Sequence, residues 1–418
     1  MNKKIKLLIF SAGILAASCA VKKTIKKNTL SLMVWGTPEQ LQLEKRMAGV
    51  YEKQHPDIKI EIISVPFRDY DRKLLNLAVS GITPDIIMVN RNFFYKYAQK
   101  GVFLALDETV KNENYDLQQF YPLALKSYSW QGKLYGLPRD VSGYVMYYNK
   151  DLLEKEGVAI PDNWEEFYRA CAKISRDINN DGIFDQYGTI FEWSWVNYLW
   201  GLGGDIFDNP VKPASSRMLS KEALQALIYY HSFYKNKFSA SRSVINESGR
   251  QDLFSTGRIG FFISGYWYGP NLRKIKEFEW DAAIMPQGPK GRFSKHAGTC
   301  FSIAAHSKNF QAAWDFLKYY TGEKAVKMSV AGGRTVPAIK TLAGSSFFLD
   351  RKPPANTKVF TWSMEAGRQW CYSAGLIEYR ELIAEEMEKL SILDITPEEA
   401  QKNIHLGLEK IIKESEKE

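Results

Sequence analysis

The run Thr83-Pro84-Asp85-Ile86-Ile87-Met88-Val89-Asn90 decides the reading of the fold. Asp85 caps the entry, and four apolar residues follow without alternation. Such a run suits a strand buried on both faces, as in a parallel sheet covered by helices. Asn90 ends it with a polar side chain that must find partners. Upstream, residues 30–35 read Leu-Ser-Leu-Met-Val-Trp, a strand closed by Gly36. Pro38 opens a helix to about Gln54, with Leu41, Met47, Val50 and Tyr51 at helical spacing. Residues 58–65 form a second strand, and 70–80 a helix stopped by Gly81. Downstream, 92–100 is helical and ends at Gly101. The β-α-β-α-β order predicts a doubly wound α/β lobe. Its ligand edge should lie in the loops after the strands, at 35–37, 66–70 and 90–92.

From Leu134 the pattern changes. Gly136-Leu137-Pro138-Arg139-Asp140 precedes an extended stretch at 144–149 and a short helix. A helix over 164–176 follows, then a turn at Asn180-Asp181-Gly182. Helices continue through 222–234. Residues 259–264 form another buried strand, leading into Gly265-Tyr266-Trp267. Residues 312–320 make an amphipathic helix, and the chain from Glu378 onward is helix-forming and charged.

The N-terminus addresses the compartment. Residues 1–6 carry three lysines and no acid, residues 7–17 are a short apolar run, and Leu15-Ala16-Ala17-Ser18-Cys19 follows. This is the layout of a secretory signal. The run falls short of the ~20 apolar residues that cross a bilayer. A cysteine directly after small residues resembles a bacterial lipobox, in which the thiol of Cys19 takes a lipid; a plain cut near Ala20 is the alternative. Residues 1–18 are thus expected to be a lipoprotein signal peptide, and 19–28 a lysine-rich tether. The mature protein would be extracytoplasmic, anchored to the membrane by its lipid and not spanning it.

Composition excludes other classes. The chain has 418 residues, 45% of them hydrophobic, enough for more than one simple domain. Of the formal charge of +9, three lysines belong to the signal and four (Lys22, Lys23, Lys26 and Lys27) to the tether, which leaves the body at +2. No broad basic face for nucleic acid follows. The tether lysines suit anionic lipid heads. Beyond Cys19, Cys171, Cys300 and Cys371 are an odd, widely spaced set, read as buried free thiols. The histidines, His55, His231, His296, His306 and His405, are scattered and build no metal pair. Neither a G-x-S-x-G elbow nor a phosphate loop is present. Residues 177–185 match the first nine positions of a calcium loop, with oxygens from Asp177, Asn179, Asp181, the Ile183 carbonyl and Asp185. The twelfth position should be a bidentate acid but is Gly188. A solvated Asn-Asp-Gly turn is the expectation, with weak calcium binding as the alternative; no cofactor is expected.

Several segments, in order, resemble the family of extracellular solute-binding proteins that includes maltose-binding protein. They are Thr83-Pro84-Asp85-Ile86-Ile87, Tyr97-Ala98-Gln99-Lys100-Gly101, Gly132-Lys133-Leu134-Tyr135-Gly136-Leu137-Pro138 and Tyr148-Asn149-Lys150-Asp151-Leu152-Leu153. Further on come Trp164-Glu165-Glu166-Phe167, Gly203-Gly204, Gly265-Tyr266-Trp267, Ala312-Ala313-Trp314-Asp315-Phe316-Leu317 and Val336-Pro337-Ala338. The resemblance covers nearly all of the mature chain. It implies a two-lobed α/β periplasmic-binding-protein-like fold: doubly wound sheets, a hinge of crossing segments and a helical C-terminus. The crossings are expected near Arg139, at 285–287 and near Val336. The lobes would be 29–138 plus 286–335, and 139–285 plus 336–418. The implied function is to capture a sugar or short oligosaccharide between the lobes, as a monomer, and to deliver it to ABC permease transmembrane subunits.

A sugar offers hydroxyl edges and weakly apolar faces, so its site needs aromatic planes and short polar side chains. The chain has 11 tryptophans and 23 tyrosines. The resemblance makes Glu192-Trp193-Ser194-Trp195, with Gly203-Gly204-Asp205 after it, the stretch that presents a carboxylate and an aromatic to the ligand. Trp267 matches the family's ligand-facing tryptophan. Trp35 and Asn90 end strands of the first lobe, and Asn92 stands where the family often has an acid. Arg139, Asp140 and Ser142 lie at the first crossing, Arg334 near the third, and Trp362 is a more distant stacking wall. Trp195, Trp200 and Trp314 read as packing. Arg139 and Asp140 could instead pair with each other. Two rivals use the same residues. A glycoside hydrolase would need two carboxylates, such as Glu192 with Asp140 or Asp205. A binder of an anionic solute such as a sugar phosphate would use Arg68, Arg91, Arg139 and Arg334. A structural surface lipoprotein is the third alternative.

Overall fold

The computed structural model describes residues 28–333 and 335–415. The signal, Cys19, the tether as far as residue 27, and Arg334 lie outside the described residues. Strand β1, Asn28–Val34, pairs in parallel with β2, Ile58–Ser64, from Asn28↔Ile58 to Val34↔Ser64. Asn28, assigned above to the tether, opens this strand because its N–H reaches the Asp57 carbonyl at 2.8 Å. On the other side β1 pairs in parallel with β3, Ile86–Asn90. Residues Ile86, Ile87, Met88 and Val89 are all buried, as an unalternating run requires. The crossover helix Pro38–Gln54 begins in a capping box: Thr37 accepts from the Gln40 backbone, and the Gln40 side chain accepts from the Thr37 N–H.

The remaining strands are β4 (Ser129–Trp130), β5 (Lys133–Leu134), β6 (Leu137–Gly143), β7 (Val145–Asn149), β8 (Tyr187–Thr189), β9 (Ile259–Ser264), β10 (Trp280–Ala283), β11 (Ser294–Ile303) and β12 (Gly367–Arg368). The larger sheet runs β12-β11-β3-β1-β2, with β6 also paired to β11. A second sheet runs β10-β7-β9-β8. The chain passes between the sheets abruptly. Gly143 pairs with His296 in the larger sheet and Val145 with Ser264 in the smaller, so Tyr144 alone separates them. This passage falls at Tyr144 because Arg139 is still inside β6. A Cβ on Gly143 would stand 2.4 Å from the Ser363 carbonyl oxygen, so the crowding there excludes any side chain. The return passage lies between Ala283 and Ser294. At a third point Val141 N–H donates to the Val336 carbonyl (3.2 Å), which holds 336–337 beside β6.

Strand β11 has no counterpart in the sequence reading, although it joins β3, β6 and β12. Its first half, Ser294-Lys295-His296, is polar yet buried, so only tertiary surroundings mark it as a strand. Trp195, Trp200 and Trp314 are packing residues, each at most 1% exposed. Cys171, Cys300 and Cys371 are buried free thiols. The C-terminal helices Leu376–Ser391 and Pro397–Ser415 pack on each other, on helix Lys221–Lys235 and, through the first of them, on helix Arg91–Gln99.

Arg139, expected at the ligand, is instead enclosed, 1% exposed. Its Nη1 donates to Glu44 Oε1 at 2.8 Å and its Nη2 to Ser329 Oγ at 3.1 Å. The guanidinium lies over the rings of Phe301 and Tyr320, 5.5 and 5.6 Å from their centroids, and the Tyr320 hydroxyl also donates to Glu44. Burial opposes the charge on Arg139, but the Glu44 carboxylate outweighs it and holds the guanidinium above the usual arginine range. The partner is Glu44 and not Asp140, since β6 turns successive side chains to opposite faces of the sheet. Glu44→Leu leaves Arg139 buried without its carboxylate and should cost about 3–5 kcal/mol of stability, read from urea unfolding. The double variant Glu44→Leu/Arg139→Met should recover most of that loss, because no charge is then stranded.

Candidate functional site

The two sheets face each other across a cavity of ≈ 560 Å³. On one side stand the ends of the parallel strands, as the strand-end rule requires. Trp35 follows β1 and packs edge-on against Phe67 (5.4 Å) and Tyr70 (4.8 Å). Asn90 ends β3 and caps helix Arg91–Gln99, its Oδ1 accepting from Asn92 N at 2.9 Å. Asn92 Oδ1 in turn accepts from Arg91 Nη2 at 3.1 Å. From β6 come Asp140, whose carboxylate accepts from Thr299 N (2.9 Å) and Oγ1 (2.7 Å), and Ser142, whose Oγ accepts from Tyr266 N (3.1 Å).

The second sheet supplies the opposite wall. Trp267 sits in the turn after β9, with 39% of its surface exposed. Its ring stands edge-on to Tyr144 at 5.7 Å and folds back over Gly265, where a Cβ would lie 2.0 Å from Cζ3. Trp193 is half-buried and stacks on Trp370 at 6.3 Å. Glu192 lines the cavity, but its carboxylate is gripped by Arg250 through Nε (2.5 Å) and Nη2 (2.6 Å), and approached by Arg242 at 3.5 Å. A smaller cavity of ≈ 60 Å³ lies behind Glu192 and Trp193, against Tyr230 and Met387.

Trp35, Asn90, Asn92, Asp140, Ser142, Glu192, Trp193 and Trp267 therefore share one cavity. Four other candidates do not line it. Arg139 is spent on Glu44. Asp205 closes the end of helix Trp195–Leu202, accepting from Trp200 Nε1 (3.1 Å), Ile206 N (2.8 Å) and Arg368 Nη2 (2.6 Å). Arg68 lies in the first turn of helix Phe67–Val79 and is exposed; its neighbour Phe67 faces the cavity, and adjacent helical residues point about 100° apart. Trp362, on helix Lys358–Glu365, packs against the core. Arg334 is outside the described residues. The loop 177–185 is held by its own side chains accepting from its backbone, two of the contacts being Asx turns. Asp177 accepts from Gly182 N (2.8 Å), Asn179 from Asp181 N (2.9 Å), Asp181 from Ile183 N (2.7 Å) and Asp185 from Ile178 N (2.8 Å).

Other lining residues lie outside the sequence-based candidates: Tyr144, Arg250, Lys295, His296, Trp370 and Arg380, with Arg91 named only for the anionic-solute alternative. Tyr144 is the residue between the sheets, and burial pushes its phenol up to about 12. It stays a protonated donor at neutral pH. His296 is held down to about 3 by burial and by the Arg91 charge, so it is neutral. Lys295 and His296 arrive on β11 and Arg380 on the C-terminal helix Leu376–Ser391. A local signal existed only for Tyr144, at the foot of an apolar strand beside Gly143.

Residues 36–327 match the sequence profile described as bacterial extracellular solute-binding protein. The chain is 27% identical over 362 residues to the galactooligosaccharide-binding protein of Bacillus subtilis (strain 168), covering 82% of each. An ABC substrate-binding protein from Listeria monocytogenes, solved in complex with cycloalternan, superposes with a TM-score of 0.83 at 24% identity, over 92% of this chain and 98% of that one. The GacH receptor of Streptomyces glaucescens, solved unliganded and with acarbose, superposes with a TM-score of 0.81 at 22% identity, over 93% and 99%. A profile match over most of the length, on a chain whose two sheets enclose a lined cleft, establishes that this protein belongs to the family of bacterial extracellular solute-binding proteins.

Proposed function

We propose that the protein captures a sugar or short oligosaccharide in the cleft and delivers it to the transmembrane subunits of an ABC importer, without chemical turnover. Trp267 carries this reading. It is a large aromatic plane left 39% exposed at the cavity, beside the passage residue Tyr144 and facing the Trp35 wall. Aromatic planes hold the apolar face of a sugar ring, and Asn90, Asn92 and Ser142 supply short polar groups for its hydroxyl edge. Similar proteins are named for or solved with galactooligosaccharide, cycloalternan and acarbose, which supports the same ligand class here. The two passages between the sheets serve as the hinge, and closure about them buries the ligand.

A hydrolytic role is disfavoured by the carboxylates. A glycosidase needs one acid that keeps a proton. Glu192 is clamped by Arg250 and Asp140 accepts two hydrogen bonds from Thr299, so both carboxylates are already engaged by neighbouring donors rather than offered to a glycosidic oxygen. The lipobox-like Leu15-Ala16-Ala17-Ser18-Cys19 makes Cys19 the anchor that tethers the protein outside the cytoplasmic membrane, next to the permease.

A saccharide that fits, at 100 times its dissociation constant, should stabilise the fold by about 2.7 kcal/mol, visible as a thermal shift, with no release of reducing ends. Turnover of the bound sugar would replace this reading by the hydrolase. Trp267→Ala should weaken saccharide binding by about 1 kcal/mol in calorimetry, while stability stays within about 0.5 kcal/mol because the ring is partly solvated. Unchanged affinity in the folded variant would remove Trp267 from the site.

A further inference from the structure

Three basic side chains meet in the cleft, and none of them forms an ion pair among the described residues. Arg91 is 3% exposed and opens helix Arg91–Gln99. It gives Nη2 to Asn92, while its Nε and Nη1 are buried without a hydrogen-bond partner among the described residues. Lys295, also buried, comes from β11; its ammonium lies over Trp193 (4.4 Å) and Tyr144 (5.4 Å) and makes no ion pair among the described residues. Arg380 reaches in from helix Leu376–Ser391, its guanidinium carbon 5.9 Å from the Trp193 centroid. Glu192 attracts Lys295 but is already held by Arg250 and Arg242. Around the whole cavity, four basic side chains face two carboxylates among the described residues.

Of these, only Arg91 is among the arginines that the sequence nominated. Arg139 is spent on Glu44 and Arg68 is outside the cavity. The converging cations come instead from three distant segments, at 91, 295 and 380. Their like charges disfavour one another. Burial, and then the charges of Arg91 and Arg380, push Lys295 well below the usual lysine range. Partial burial, and then the Arg91 charge, also lower Arg380, although part of its side chain stays exposed. Arg91 and Lys295 are buried, and unpaired buried cations destabilise a fold, so together with the more exposed Arg380 they are preorganised for a partner that arrives with negative charge.

We infer that the captured saccharide bears an oxyanion substituent, and that Arg91, Lys295 and Arg380 receive it while Trp267 holds the ring. This rests on the sugar-binding reading and narrows it. Unpartnered Arg91 N–H groups suit a carboxylate, as on a uronic acid, and suit a sulfate or phosphate ester by the same hydrogen bonds. A neutral sugar would leave the cations uncompensated on closure.

Calorimetry on the protein from residue 28 onward tests the inference with matched probes: galactobiose, digalacturonic acid and galactobiose sulfate, and cellobiose beside cellobiouronic acid. At least one acidic probe should bind about tenfold or more tighter than its neutral counterpart, and added salt should weaken only the acidic one. Which acidic probe binds separates carboxylate from sulfate. Lys295→Met and Arg380→Gln should each lower the acidic-to-neutral affinity ratio by about tenfold, with Lys295→Met melting no lower than the parent. Neutral probes binding as tightly as acidic ones would overturn the inference and leave sugar capture standing. Equal losses for both probe types in the two variants would reduce these residues to a structural role and overturn it too. Silence from every probe, neutral and acidic, would overturn sugar capture as well.

Discussion

The enclosed pair between Glu44 and Arg139 constrains the rest of the molecule. Neither charge can be left alone in the interior, so helix Pro38–Gln54 and strand β6 must sit where the carboxylate meets the guanidinium. Ser329 and Tyr320 tie two further helices to the same point. Once β6 is held, its alternation turns Asp140 and Ser142 to the cleft and places Tyr144 between the sheets. An arginine outside the site thereby sets the geometry of the site.

The cleft wall divides its work between planes and charges. Trp267 is kept open by Gly265, whose missing side chain lets the ring fold back over the backbone. Trp193, equally aromatic, is flanked by Lys295 and Arg380 on one hand and Trp370 on the other, which makes it a cation-holding surface more than a free stacking platform. Glu192 likewise serves Arg250 before any ligand. The polar groups of the cleft are largely organised by one another, and this rigidity matters for a site that must discriminate among hydroxyl patterns.

The cavity wall carries charges that oppose folding. Buried Lys295 and the unpartnered nitrogens of Arg91 oppose folding, and β11 compensates through its pairing with β3 and β6. Natural proteins violate local rules of polarity mainly at functional sites. Here the violation lies on the strand that has no recognisable sequence pattern.

The doubly wound first lobe was legible in the chain before any folding was known. Unalternating apolar runs such as 86–89, capping at Thr37 and glycine stops are local signals, and local physics decides them. The family was legible too, through ordered segments from Thr83 to Ala338, as were eight side chains at the cavity, most of them at strand ends or in glycine-bounded turns. Tertiary structure alone decided the role of charge. Arg139, Arg68 and Arg91 are equivalent letters in a sequence; burial against Glu44, a 100° turn of helix and a vacant pair of N–H groups separate them. Lys295 and Arg380 reach the cavity only because β11 and the last helices meet around Trp193. That meeting depends on contacts between segments far apart in the chain, which no local pattern encodes.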